Sequence, residues 1–317
     1  MALTQQNRVI VTGAGGFIGG AVVAALRAEG REVAGLFHHD PGAETARAMG
    51  LVAWAYGPLT LSQLADVAGA TPSEIQHCAG SGSVALSLSD PARDFDSNVM
   101  STQTVLEFAR QRGGIRVVLP SSAGVYGVVD RLPIRPDAPC NPISPYGGNK
   151  LLAEMLARQY ARHWGLEVAI VRLFSVYGAG LRKQLLWDAA RKILAGDRVF
   201  FGTGDETRDW IHVEDTAALL MQAGRIASPA APVLNGGTGQ QVAIRSILEH
   251  LATALDGGRL AAPIRFNDQT RPGDPAHYQA DISATLATGW APRIDLGAGI
   301  AAYADWYRTT VLSEPQE

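Results

Sequence analysis

The feature that most constrains this chain is a glycine loop between an apolar strand and a helix. Residues 9–12 form a short apolar run, and Gly13, Gly16 and Gly19 follow it at GxxGxxG spacing. Glycine at these positions allows a tight turn, close approach of the backbone to a pyrophosphate, and close packing of helix on strand. A helix that begins near Phe17 directs the partial positive charge of its N terminus towards those phosphates. The pattern predicts a βαβ unit that binds a dinucleotide.

The end of the second predicted strand bears on which dinucleotide is bound. NAD sites place an Asp or Glu there to hold the ribose hydroxyls, but this strand ends at Phe37, which His38, His39 and Asp40 follow. Without a carboxylate at that point a 2′-phosphate is not repelled, and the two histidines can donate hydrogen bonds to it. In the alternative, both histidines are exposed loop residues and Asp40 reaches the ribose. NADP is therefore slightly favoured over NAD.

Strand and helix patterns alternate through the first half of the chain. Residues 75–79 are typical of a strand end and residues 91–112 of a helix. Residues 117–120 and 167–173 are two further apolar strands. This alternation predicts an α/β fold with a Rossmann-type, doubly wound parallel sheet. Ligands of such sheets bind beyond the carboxyl ends of the strands.

A second motif lies in mid-chain, where Tyr146 and Lys150 are four residues apart. On a helix this spacing puts both side chains on one face, one turn apart. An ammonium and a nicotinamide cation nearby would both lower the pKa of the tyrosine from its ordinary value of about 10. Such a tyrosine can take a proton from an alcohol or return one to a carbonyl. We expect Ser122, at the end of its strand, to hydrogen-bond the same oxygen, and Lys150 also to hold the nicotinamide ribose. The alternative is a surface Tyr–Lys pair.

Composition argues against several other classes of function. The 27 Lys and Arg residues against 30 Asp and Glu give a formal net charge of −3, whereas nucleic-acid binding depends on clustered basic residues. No apolar run approaches the roughly 20 residues that span a bilayer, and residues 1–7 are not typical of a signal peptide. Two cysteines are too few for a disulfide framework, and no metal-ligand spacing is present. We expect a cytoplasmic enzyme without nucleic-acid, membrane or metal partners.

The order of these and later motifs resembles the extended short-chain dehydrogenase/reductases, a group of nucleotide-sugar epimerases, dehydratases and reductases. The resemblance covers about residues 8–310. It rests on Asn98 with Thr102 and on the segments VTGAGGFIG (11–19), SSAGVYG (121–127), SPYGGNK (144–150), RLFSVYG (172–178), TRDWIHVED (207–215), NGGT (235–238) and RPGD (271–274).

The resemblance implies an organisation of the chain and a set of partners. Residues 1–174, with about 212–237, would form the NAD(P)-binding domain. Residues 175–211 and 238–317 would form a smaller, mixed C-terminal domain that binds a nucleotide diphosphate sugar. A homodimer is expected through the helices at about 92–112 and 146–163.

The residue patterns and the resemblance together imply roles for individual residues. The catalytic residues would be Ser122, Tyr146 and Lys150. The cofactor-binding residues would be Gly13, Gly16, Phe17, Ile18, Gly19, His38, His39, Ala79, Asn98 and Lys150. The substrate-binding residues would be Ser81, Ser83, Ser175, Lys183, Arg208, Arg271 and Asp274.

Among the substrate-binding residues, Arg208 and Arg271 would clamp the diphosphate and Asp274 would bind the nucleoside ribose. A bidentate guanidinium suits a phosphate, although two ordinary salt bridges are the alternative. Lys183 is either a phosphate contact or a solvated loop charge. Ser175 replaces an asparagine that is usual in its motif.

Departures from the family pattern narrow the reaction. The 4,6-dehydratases carry Thr-Asp-Glu where this chain has Ser122, Ala123 and Gly124, and elimination of water needs that acid/base pair. Epimerases that retain NAD usually carry an acidic residue where this chain has Phe37, and another where it has residues 56–58. We therefore place reduction of a 4-keto sugar by NADPH first. A 4-epimerase with tightly bound NAD is the alternative, and a non-catalytic dinucleotide sensor a more distant one.

Overall fold

The computed structural model describes residues 8–70, 72–269 and 276–313, and strands alternate with helices through much of this length. The strands are β1 (Arg8–Thr12), β2 (Glu32–Phe37), β3 (Ala53–Tyr56), β4 (Glu74–His77), β5 (Arg116–Ser122), β6 (Val168–Leu173), β7 (Ser175–Tyr177), β8 (Val199–Phe200), β9 (Thr207–Arg208), β10 (Trp210–His212), β11 (Val233–Gly236), β12 (Val242–Ala243) and β13 (Arg265–Phe266).

The helices complete the alternation. They are α1 (Phe17–Ala28), α2 (Ala43–Ala48), α3 (Leu61–Ala68), α4 (Val84–Ser89), α5 (Pro91–Phe95), α6 (Ser101–Arg112), α7 (Pro145–Trp164), α8 (Gln184–Leu194), α9 (Val213–Ile226), α10 (Ile244–Leu255), α11 (Ser283–Leu286) and α12 (Leu296–Trp306). The helix predicted over residues 91–112 is divided, because a π-helical turn (Asp96–Met100) separates α5 from α6.

Seven of these strands form one parallel sheet in the order β3-β2-β1-β4-β5-β6-β11. The chain winds from β1 outward to β3, then returns to the other side of β1 with β4. Crevices that bind ligands form where the winding reverses, at the carboxyl ends of the strands. The predicted doubly wound Rossmann-type sheet is therefore confirmed, and its switch point lies between β1 and β4.

The apolar strands are buried because helices cover both faces of the sheet. Along β1, Val9 and Val11 pack in one core cluster with Leu26 of α1 and Leu220 of α9. Ile10, which points to the opposite face, packs with side chains of α3, α6 and α7. The continuous apolar run at residues 9–12 is thus explained by burial on both sides.

A smaller unit follows the sixth strand of the sheet and has its own core. Leu186 of α8, Leu251 of α10 and Tyr303 of α12 pack together there, beside the short pairs β7–β10, β8–β13 and β9–β12. The chain returns to the main sheet with α9 and β11 before it completes this unit. Among the described residues, no helix combines the length and the apolar character needed to cross a membrane.

Candidate active site

The glycine loop forms a backbone cradle at the end of β1. Gly13 has a φ of +66°, and a Cβ added there would lie 2.8 Å from the amide nitrogen of Ala79. A Cβ on Gly19 would overlap the carbonyl oxygen of Gly13. Gly16, the residue before α1, has no side chain, so it offers no side-chain acceptor to the first N–H groups of the helix. This cradle fits the pyrophosphate of a dinucleotide.

A cavity of about 650 Å³ opens beside this cradle and extends from the main sheet to the smaller unit. Its walls bring together most of the residues predicted for the site. The predicted residues that line it are Gly16, Phe17, Ile18, Gly19, Ala79, Ser81, Ser122, Tyr146, Lys150, Ser175, Lys183 and Arg208.

The charged side chains that line the described part of this cavity are Lys150, Lys183 and Arg208, and no carboxylate is among them. Arg208 donates to the carbonyls of Thr207 and Ala276 at 2.8 and 3.2 Å, which hold it at the wall. Lys183 extends across the cavity towards Gly82, where an added Cβ would lie 3.7 Å from the Lys183 Nζ. A cavity lined in this way suits polyanionic ligands such as diphosphates.

Ser122 and Tyr146 meet across Gly124. A Cβ on Gly124 would lie 3.3 Å from Ser122 Oγ and 3.7 Å from Tyr146 Cε1. Ser144 caps α7 by accepting a 3.1 Å hydrogen bond from the amide of Gly147. Gly147 in turn fits against the Gly124 carbonyl, which a Cβ would approach to 2.5 Å. These contacts fix the first turn of α7, and with it Tyr146, against the end of β5.

The two ionisable groups of this centre are both shifted by burial. Burial raises the pKa of Tyr146, as does the nearby charge of Asp94, whereas a hydrogen bond with Ser122 lowers it. Burial lowers the pKa of Lys150 to about 8. The Lys150 ammonium donates to the Pro120 carbonyl at 3.2 Å, and its effect on the pKa of Tyr146 stays a prediction.

A buried ion pair lies beneath the centre and was not predicted. Glu154 and Arg172 meet at 2.7 Å with side chains 1% and 4% exposed, and Ser121 donates to the same carboxylate at 2.6 Å. Tyr146, Lys150 and Glu154 follow one another at four-residue intervals. This spacing places all three side chains on one helix face, so the sequence pattern could have pointed to Glu154.

Several predicted residues lie away from the cavity wall. Ser83 caps α4 by accepting a 3.1 Å hydrogen bond from the amide of Leu86, and its contact with substrate stays a prediction. Asn98 is buried behind the wall. Gly13 forms the cradle behind the lining residues. Arg271 and Asp274 lie outside the described residues.

The end of β2 carries no carboxylate. Phe37 is buried there, with its ring so close to the glycine loop that a Cβ on Gly15 would lie 2.9 Å from its Cδ1. His38 and His39 follow as exposed residues whose rings are 4.3 Å apart. The Asp40 carboxylate accepts a 2.9 Å hydrogen bond from the amide of Gly42, within its own turn.

Two further residues of the cavity wall were given no individual role from the sequence. Gln184 lines the wall with a φ of +66°, a left-handed conformation that is uncommon outside glycine and often marks functional sites. Tyr278 lines the wall near Arg208, whose guanidinium carbon lies 5.9 Å from the ring centre. The sequence predicts only that residues 181–184 border the sugar and nucleotide, and Tyr278 stands in no pattern that sequence alone makes informative.

Comparison with known proteins identifies the family. The model of the NAD dependent epimerase/dehydratase family matches residues 9–232. The chain belongs to this family. It is an enzyme of the extended short-chain dehydrogenase/reductase type, as the sequence resemblance implied.

The relatives include two kinds of enzyme. The UDP-glucose 4-epimerase of Mycolicibacterium smegmatis is 32% identical, covering 95% of this chain and 98% of the relative. The dTDP-glucose 4,6-dehydratase of Streptomyces antibioticus is 29% identical, covering 95% and 92%. Among solved structures, MoeE5 in complex with UDP-glucose and NAD is 32% identical, with a TM-score of 0.82 and coverage of 96% and 99%. This enzyme is therefore an NAD-dependent epimerase/dehydratase in the broad sense.

Proposed function

We propose that this enzyme inverts the configuration at C4 of a nucleoside diphosphate sugar. The observation that carries the proposal is the meeting of Ser122 and Tyr146 across Gly124. The hydroxyl groups of Ser122 and Tyr146 can both act on one sugar oxygen. Ala123 and Gly124 offer no acid or base for an elimination of water. The similarity to UDP-glucose 4-epimerases supports the same choice.

In the proposed reaction, Tyr146 takes the proton from the C4 hydroxyl and later returns it to the carbonyl oxygen. Ser122 hydrogen-bonds that oxygen and the tyrosine, and so aligns the proton transfer. Lys150 holds the nicotinamide ribose with its ammonium. A bound dinucleotide would supply the hydride acceptor and donor. Inversion follows when the keto sugar presents its opposite face before the hydride returns.

The cations of the cavity supply the proposed substrate contacts. Arg208 would hold the diphosphate, joined by Arg271, with Asp274 at the nucleoside ribose. Lys183 is assigned to the substrate because its ammonium crosses the cavity towards Gly82. Ser81 and Ser175 line the same wall and would bind sugar or phosphate oxygens.

A second candidate is reduction of a 4-keto sugar by NADPH, which the sequence placed first. Phe37 favours it, because a buried ring at the end of β2 neither holds a ribose diol nor repels a 2′-phosphate. His38 and His39 would then contact that phosphate. We favour the epimerase over the ketoreductase for two reasons. The similar MoeE5 structure contains NAD, and several relatives are 4-epimerases.

The test has two parts. The purified protein is first denatured, and any released dinucleotide is identified by mass spectrometry. It is then incubated with UDP-glucose, and the sugar is examined by NMR for inversion at C4, with added NAD and without it. Retained NAD and an inverted product support the epimerase. NADPH consumption with a 4-keto sugar nucleotide, without inversion of UDP-glucose, would replace it with the ketoreductase.

We also propose that the enzyme is a homodimer that works in the cytoplasm. Exposed apolar side chains lie on α7 (Leu152 and Met155), on the π-helical turn before α6 (Met100) and on the neighbouring helix α4 (Leu88). A second copy of the chain would cover them. Light scattering should give twice the mass of one chain, and Met155→Glu should shift it towards the monomer. A wild-type protein that is monomeric would contradict the dimer.

A further inference from the structure

Asp94 is a fully buried carboxylate that stands behind the cavity wall. Its Oδ1 accepts a 3.1 Å hydrogen bond from Asn98, and its Oδ2 accepts a 2.8 Å hydrogen bond from Asn149. Asn149 lies on α7, between Tyr146 and Lys150. One carboxylate therefore joins α5 and the π-helical turn to the helix that carries the proposed catalytic pair.

The same hydrogen bonds fix the orientation of the Asn98 amide. Its Nδ2 donates to the side chain and to the backbone carbonyl of Asp94, both at 3.1 Å. Its Oδ1 must then point the other way, and this buried atom has no hydrogen-bond partner among the described residues. A Cβ on Gly80 would lie 2.8 Å from that oxygen and 3.6 Å from Lys150 Nζ. The amide oxygen and the ammonium thus both face Gly80.

We propose that Asp94 is a positioning residue for the reaction centre. Its carboxylate holds the Asn98 amide and the first turns of α7 in one geometry, and so sets where Tyr146 and Lys150 lie. The inference rests on the proposed function, because it takes those two residues as the reacting pair. Asp94 does not touch substrate or cofactor, since it lies behind the wall.

The charge of Asp94 acts on both members of the pair. It raises the pKa of Lys150, against the larger opposite effect of burial, and it adds to the effect of burial on Tyr146. Two other groups act on Lys150, namely Cys78, which directly follows β4, and Glu154 of α7. Ser122 of β5 acts on Tyr146. Burial lowers the pKa of His77, and the charge of Lys150 lowers it further. Removing the charge should therefore lower the pKa of Lys150 and of Tyr146 together.

The first test compares Asp94→Asn with a matched control, Asp96→Asn. Asp96 is exposed, two residues away, and its loss removes the same charge from the surface. We expect Asp94→Asn to lower kcat by about 10- to 100-fold, the range that a misplacement of up to about 1 Å produces, with KM little changed. The alkaline limb of the pH–rate profile should move to lower pH. Wild-type kcat and an unmoved limb in Asp94→Asn would overturn the proposal.

The second test exchanges the two partners in Asp94→Asn/Asn149→Asp. In this variant the new amide can donate to the new carboxylate and still accept from Asn98, so each hydrogen bond has a counterpart. We expect most of the lost kcat to return, because the buried carboxylate–amide contact between α5 and α7 is restored. A double variant no more active than Asp94→Asn alone would also overturn the proposal. The exchange keeps the proposal falsifiable even where the single variant does not fold.

A binding measurement separates this inference from the proposed function. NADH affinity is titrated from neutral to alkaline pH in the wild type and in Asp94→Asn, without any sugar nucleotide. The loss of affinity should begin at lower pH in the variant, because Lys150 loses its proton sooner. An unchanged midpoint would contradict the role of Asp94 whatever the substrate is. A wild-type protein inactive on every sugar nucleotide would contradict only the proposed function.

Discussion

The carboxylate of Glu154 and the guanidinium of Arg172 meet at 2.7 Å in the interior, beneath the strand end that carries Ser122. The pair links α7 to β6, and Ser121 adds a hydrogen bond from β5. Removing one partner of such a pair leaves an uncompensated buried charge. The stability of the scaffold and the placement of the reaction centre therefore depend on the same contact.

Glu154→Gln should lower the free energy of unfolding by about 3–5 kcal/mol, because Arg172 stays buried without its counter-charge. The measurement is urea denaturation followed by circular dichroism. The matched control is Asp137→Asn, which removes one partner of the exposed Arg135–Asp137 pair and should leave stability within experimental error. A loss below about 1 kcal/mol in Glu154→Gln, the range of a surface pair, would contradict the structural role of the ion pair.

Tyr146→Phe should lower turnover by about 10²- to 10⁴-fold, the usual contribution of a positioned acid/base. Only a hydroxyl is removed, so the fold and the affinity for the dinucleotide should persist. Steady-state kinetics and NADH fluorescence titration give the two quantities. Tyr160→Phe, which removes a hydroxyl further along the same helix, serves as the control. Near-normal turnover in Tyr146→Phe would rule out the proposed proton transfer.

Gly19→Ala should lower dinucleotide affinity by more than about 10-fold, because the new methyl group would overlap the Gly13 carbonyl and shift the phosphate cradle. Gly20→Ala is its neighbour and control, since a Cβ there would meet the Ala14 carbonyl oxygen at an ordinary 3.6 Å. Isothermal titration with NAD and NADP measures both variants. Equal losses in the two variants would show that the overlap at Gly19 does not govern binding.

Dinucleotide affinity should fall as the pH rises through about 8, the value to which burial lowers the pKa of Lys150. Below that pH the ammonium is charged and can hold the nicotinamide ribose, and above it the neutral amine donates more weakly. Lys150→Met should bind weakly with little pH dependence across the same range. If the wild-type affinity does not change across this pH, Lys150 does not hold the cofactor through its charge.

The local patterns of the sequence were sufficient for the fold class and for the outline of the site. The apolar run at residues 9–12 and the spacing of Gly13, Gly16 and Gly19 predict a strand, a tight turn and a helix from neighbouring residues alone. The interval between Tyr146 and Lys150 works in the same way on a helix. Each of these patterns is informative because the interacting residues are close in the chain.

Contacts between distant segments were decided only by the tertiary structure. The Asp94–Asn149 hydrogen bond, the fit of Gly147 against Gly124 and the Glu154–Arg172 ion pair each join elements that lie far apart in the sequence. Ser83 lies in a segment beside the cavity, and only the structure shows that its side chain caps α4. The sequence by itself determined which side chains could do the chemistry. Long-range packing decided which of them face the cavity, because a partner far away in the chain leaves no local pattern.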